Sequence, residues 1–164
     1  MFQLKPITAD AIPRALEKAQ RYRLLNEPAE AESICLDILE IDSDNQQALI
    51  TLLLSRTDQF ETGTKMQSAR DLLPQLQDPF HKLYYAGIIC ERQGKAILQR
   101  GGHSAHFSAY HWFVEAMSWY EKADEIHPAG NEDAVLRWNT CARILMAHPH
   151  LRPQPEEKYE PPLE

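Results

Sequence analysis

Residues 115–131, EAMSWYEKADEIHPAGN, constrain the fold more tightly than any other stretch of the chain. Ala116, Tyr120 and Ala123 are spaced by four and three, which puts them on one face of a helix. The small side chains at 116 and 123 let a neighbouring helix approach closely, and Tyr120 fills the space between them. Pro128, five residues on, stops the helix, because it lacks an N–H and its ring clashes with the preceding turn. Such a face needs a second helix against it, so the segment predicts paired helices.

The rest of the chain repeats this pattern. It has no sustained two-residue alternation and no Asn-Gly or Asp-Gly hairpin turn, so strand signals are nearly absent. Ala15, Leu16, Ala19 and Tyr22 mark one face of a first helix, with Thr8 or Asp10 ahead of Pro13 signalling its start. Pro28 opens a second, with Ala31, Cys35, Ile38 and Leu39 on one face. The segment DSDN, residues 42–45, caps a third that carries Leu49, Leu52, Leu53 and Phe60. A fourth is predicted over 66–76, with Pro74 distorting its last turn. Asp78-Pro79 opens a fifth, built on Leu83, Ala86, Gly87 and Cys90. A sixth runs to about Ile126, and Asn131 caps a seventh that ends near His148-Pro149. Residues 149–164 hold five of the eleven prolines and four glutamates. That composition predicts a Pro/Glu-rich extended or disordered tail, which buries too little apolar area to offset ordering entropy.

Helix pairs recurring every few tens of residues indicate a solenoid. With Ala116, Tyr120, Ala123 and Pro128 in register, residues 115–131 resemble the second helix of a tetratricopeptide repeat (TPR). Residues 29–45 fit the same frame through Ala31, Cys35, Ile38 and Ser43. Ala19 with Tyr22, Gly87 with Cys90, and Trp138 with Cys141 match the first-helix positions. The resemblance covers most of residues 10–148 and fades over 46–79. It implies an all-α, TPR-like superhelix of about seven antiparallel helices over residues 8–148, arranged as three pairs and a terminal solvating helix.

The resemblance also implies a use. Such arrays hold peptides in a concave groove lined by their first helices. The matching positions here are Leu16, Gln20 and Arg23, then Ile50, Leu54 and Asp58. In the third pair they are His81, Tyr84, Ile88 and Arg92, and in the last helix Val135, Asn139 and Arg143. Arg23, His81, Tyr84, Ile88, Arg92, Asn139 and Arg143 are the residues expected to touch a partner. The carboxylate clamp of the chaperone-binding subtype is absent, because Leu16, Thr51, His81 and Tyr85 occupy its places. Arg137, Asn139 and Arg143 are left to pair elsewhere, and Glu91 and Arg92 are the nearest candidates.

One departure from the repeat is large. Cys90 and Ala116 stand 26 positions apart, where an ordinary repeat leaves about nine residues. The surplus reads as helix on both sides of Gly101-Gly102. At 1.5 Å per residue each arm projects roughly 12 Å beyond its neighbours. An elongated helical hairpin with its tip near 101–102 follows. Ser104 or His103 can cap the returning arm, and Phe107, Tyr110 and Trp112 are expected to zip the arms together.

Composition excludes other classes. The net charge of −7 argues against a nucleic-acid backbone or an anionic membrane as partner, since both need surplus cations. The apolar run around ALITLLL is too short to span a bilayer. Residues 1–13 contain no apolar run fit for a signal peptide. Cys35, Cys90 and Cys141 are far apart, with no zinc or disulfide spacing. They read as core thiols in a reducing compartment, which predicts a cytoplasmic protein. No nucleophile motif, phosphate loop or paired-carboxylate motif appears, so the chain reads as a non-enzyme without a cofactor.

His103, His106 and His111 invite a metal reading. His103 and His106 can share a helix face, whereas His111 pairs with Glu115. A zinc site needs three or four convergent ligands, and one arm offers two. The sequence therefore predicts a scaffold that binds a protein or peptide through the groove or the hairpin. The second reading is a metal-responsive protein using His103, His106 and His111. Three pairs are near the minimum for a stable array, so a homodimer through the hairpin is compatible with either reading.

Overall fold

The structure is a computed structural model that describes residues 1–155. The described residues form seven α-helices and no strand. These are α1 (Ile12–Leu24), α2 (Pro28–Ile41), α3 (Gln46–Thr57), α4 (Met66–Arg70), α5 (Pro79–Arg100), α6 (Ala105–Asp124) and α7 (Asp133–Ala147). The capping residues read from the sequence act at three starts. Asn45 Oδ1 accepts from Ala48 N–H at 3.0 Å, and Asp78 Oδ1 accepts from Phe80 N–H at 2.8 Å. Asn131 Oδ1 accepts from Asp133 N–H at 3.0 Å. Each satisfies a donor that the first helical turn leaves open.

Two elements differ from the sequence reading. The helix expected over 66–76 is one short helix that ends at Arg70, followed by a 3-10 turn at Leu73–Gln75. Pro74 explains the end point. A continuing helix would press the proline ring onto the carbonyl four residues back, which is that of Arg70. Phe60 is buried as expected, yet it sits in a 3-10 turn, Phe60–Thr62, beyond the end of α3.

Sequential helices pack on one another: α1 on α2, α2 on α3, α5 on α6, and α6 on α7. The odd-numbered helices α1, α3 and α5 also touch in order. One apolar cluster joins α1, α2, α3 and the segment around Phe60, Leu72 and Leu76 to Ile89 of α5. A second joins α5, α6 and α7 through Phe80, Phe113, Tyr120 and Cys141. Leu54, Met66 and Tyr85 pack against both. Arg56 of α3 fastens the first cluster's edge, donating to Glu32 of α2 at 3.0 Å and to the Ser68 carbonyl of α4 at 2.8 Å.

The long hairpin is present, and its tip falls at Gly101 and Gly102, with φ of 71° and 123°. Its zip is not the expected one. Phe107, Tyr110 and Trp112 are only half-buried, whereas Ala105, Ala109, Phe113, Ala116 and Tyr120 form the buried seam of α6. Across from it, Gly94 stands so that an added Cβ would lie 3.3 Å from the Phe113 ring. Gly87 is tighter still, since its Cβ would lie 2.4 Å from the Tyr120 ring. Small residues therefore set the helix spacing, and the two large rings fill what remains. His103 lies in the turn ahead of α6. Ser104 occupies the cap position but makes no side-chain cap.

Residues 148–155 have no helix or strand, yet they do not stand clear of the fold. Leu151 is 4% exposed and joins the second apolar cluster. Pro153 and Gln154 line a crevice with Phe107 and His111 of α6. This start of the expected tail is without helix or strand, and it buries one leucine against the α5–α7 cluster. The part of that tail at 156–164 lies outside the described residues.

Candidate functional site

Two consecutive residues near the middle of α5 connect the odd-numbered helices. Helical geometry turns successive side chains about 100° apart, so Glu91 and Arg92 reach opposite neighbours. Arg92 Nη1 lies 3.4 Å from Asp58 Oδ1, at the end of α3. Arg23, in the last turn of α1, holds the same carboxylate from the other side. Its Nε donates to Asp58 Oδ2 at 2.6 Å and its Nη2 donates to Oδ1 at 3.2 Å. Two guanidinium groups thus share one carboxylate, and the Nε–H of Arg92 is buried without an acceptor among the described residues. The group carries a surplus positive charge beside a half-exposed side chain.

Glu91 faces the other way and is fully buried. Its carboxylate accepts from Lys95 Nζ at 2.5 Å, from Tyr120 Oη of α6 at 2.7 Å, and from Arg137 of α7 at 2.7 and 3.1 Å. A buried charge is tolerated only when paired and hydrogen-bonded in this way. Burial first, and then Glu91, pushes the Tyr120 hydroxyl far above its ordinary range. Burial would lower the Arg137 guanidinium, but Glu91 and Tyr120 beside it hold its pKa above the ordinary value. Arg23, Asp58, Arg92, Glu91 and Arg137 form one polar strut across α1, α3, α5 and α7.

The aromatic pair on α5 divides as its spacing requires. The Tyr84 ring stacks on Phe80 at 5.6 Å and meets Tyr120 at 5.9 Å, so it belongs to the α6–α7 side. Burial raises its pKa, with Arg137 opposing. Tyr85 meets Tyr84 edge-on at 5.0 Å and His81 at 5.7 Å. Burial, then Tyr84 and Asp133, pushes its hydroxyl up to about 12, with Arg23 opposing. His81 stands half-buried, 3.8 Å from Asp78.

Of the seven residues expected to touch a partner, the structure brings Arg23 and Arg92 together at Asp58. His81 and Tyr84 lie along the same helix as Arg92. Ile88 is 5% exposed and packed into the α5–α7 cluster. Asn139 is half-buried and Arg143 is exposed, and neither makes a side-chain contact to the strut. The sequence pointed to Glu91 as a candidate partner for Arg137, and the pair forms. It gave no sign that Tyr120, the seam residue, also turns its hydroxyl to Glu91. Tyr85, next to Tyr84, is half-buried and packs against both apolar clusters.

The histidines of the hairpin are not brought together. His103 is exposed at the tip, His106 packs its ring on His150 at 4.7 Å, and His111 faces Glu115 at 3.4 Å. Among the described residues no three His, Cys, Asp or Glu side chains converge as a metal centre requires. Burial raises Cys35, Cys90 and Cys141 from 9.0 to about 12, which leaves each a protonated thiol at neutral pH. A thiol in that state is a poor nucleophile.

No family model, curated protein or solved structure matches the chain. No described helix is long and apolar enough to cross a membrane.

Proposed function

We propose that the chain is a non-enzymatic adaptor with a TPR-like arrangement of helices. Its concave face, lined by α1, α3, α5 and α7, holds a segment of a protein partner. The observation that carries this reading is the shared carboxylate of Asp58. Two arginines from different helices converge on it, which leaves the group one positive charge in excess, and Arg92 is partly exposed. Charge-assisted hydrogen bonds are the strong ones, so a carboxylate or backbone carbonyl of a bound segment suits Arg92. Tyr85 and His81 beside it offer ring faces and edges for apolar or amide groups. The three buried thiols support a reducing, cytoplasmic setting. The acidic balance argues against nucleic acid and anionic membrane as partners.

Affinity capture tests the reading, with wild-type chain and an Arg92→Ala/Arg143→Ala variant as paired baits. The reading expects partners held by the first bait to be lost from the second while the helical circular dichroism is unchanged. The same partners on both baits would remove the groove assignment. For the histidines, zinc or nickel is expected to leave the melting temperature unchanged; a rise would favour the metal-responsive reading.

A further inference from the structure

Because α4 stops at Arg70, it leaves part of α5 and α6 uncovered. The result is a crevice of about 400 Å³ between the 3-10 turn at Leu73–Gln75, α5 and α6. Its deepest lining is Ala86 and Cys90, both buried, with half-buried Leu83 and Trp119 beside them. The turn supplies Leu73 and Pro74 as the opposite wall. Two cations, Arg70 and Lys82, line the crevice, and the Glu115 carboxylate beside Arg70 and Cys90 offsets the first of them. Lys122 adds a third, its Nζ 4.5 Å from the centre of the Trp119 ring.

The cations differ in how they are held. Arg70 is committed, 3.7 Å from Glu115 and 5.3 Å from the centre of the Trp112 ring. Lys82 is exposed and takes part in no ion pair among the described residues. An apolar floor with a cationic rim, on a chain whose net charge is −7, selects its occupant by charge. A basic or neutral segment gains the apolar contact alone, whereas an acidic one adds attraction to Lys82 and Lys122. The volume lies in the range of sites that take one or two large side chains.

We infer that this crevice is a second docking site, for an acidic partner segment that places one large apolar side chain over Ala86 and Cys90 with glutamate or aspartate at Lys82. It rests on the adaptor reading only in requiring a protein partner, since none of its lining residues belongs to the polar strut.

Fluorescence anisotropy with two labelled peptides tests it, one with a Leu-Phe centre flanked by glutamates and its twin flanked by lysines. The glutamate peptide is expected to bind at least about tenfold tighter to the full chain. Lys82→Glu is expected to erase or invert that preference, and Ala86→Phe to block both peptides by filling the floor. Arg92→Ala is expected to leave the preference intact, which separates this site from the groove. If Ala86→Phe does not fold, Lys82→Glu decides alone, because an exposed lysine has no packing role. Equal binding of the two peptides, or indifference to Lys82→Glu, overturns the inference. Binding seen only in a chain shortened to residue 155 assigns the crevice to the chain's own residues 156–164 and overturns it as well.

Discussion

At the scale of residues, Glu91 and Gly87 carry more of the structure than their neighbours. Glu91 is a buried charge satisfied by three side chains. Replacing it with alanine leaves Arg137 and Tyr120 without their acceptor inside the fold. Breaking a buried pair in this way costs about 3–5 kcal/mol, read as a fall in the urea midpoint. Glu91→Gln keeps an acceptor oxygen and is expected to lose less. A smaller loss in the alanine variant than in the glutamine variant would show that the carboxylate is not the hub. Gly87 and Gly94 make a matched pair. Gly87→Ala drives a Cβ into the Tyr120 ring and is expected to destabilise by about 1–3 kcal/mol. Gly94→Ala meets the edge of Phe113 at 3.3 Å and the Ala109 carbonyl at 3.4 Å, and the gain in helix propensity, about 0.8–1 kcal/mol, offsets the squeeze. Thermal melts that rank the two variants in the opposite order would contradict the proposed seam.

At the scale of elements, the tip of the hairpin and the end of α4 define the shape. Gly101 takes φ 71° and ψ −165°, a region essentially reserved for glycine. Gly101→Ala is expected to cost about 1–3 kcal/mol and to leave the two arms otherwise intact, as judged by unchanged helical circular dichroism. A neutral result would place the turn elsewhere. Much at this scale was legible in the sequence. Pro28, Asp78-Pro79, the glycine pair and the small–aromatic–small spacing of 116, 120 and 123 each mark an element that forms. What was not legible depended on tertiary neighbours. Pro74 is the exception, since its clash with the carbonyl four residues back is local and sets the end of α4 at Arg70. The burial of Ile88 and Leu151 was hidden, because both depend on which helix lies opposite. Local periodicity cannot say whether a groove-facing position is open or covered.

At the scale of the whole molecule, two large apolar clusters, a smaller one of Leu16, Ile38 and Ala48, and one polar strut hold the seven described helices together. The buried thiols and phenols give that assembly a pH signature. Unfolded cysteine loses its proton near 9.0, whereas Cys35, Cys90 and Cys141 keep theirs to about 12 in the fold. Between those values the unfolded chain binds fewer protons than the folded one, so stability falls as pH rises. Tyr84, Tyr85 and Tyr120 shift in the same direction. Under reducing conditions, the urea midpoint is expected to be lower at pH 10.5 than at pH 8; a flat profile would mean that the thiols open to water.

The proposed partner lies along the strut across α1, α3, α5 and α7, and photo-crosslinking addresses that placement directly. A photoreactive residue is placed at His81, on the proposed groove face, or at Glu40, on the exposed face of α2. Each chain is then irradiated with its captured partner. A crosslinked partner is expected from position 81, lost on Arg92→Ala, and none from position 40. Crosslinks from position 40 alone would contradict it.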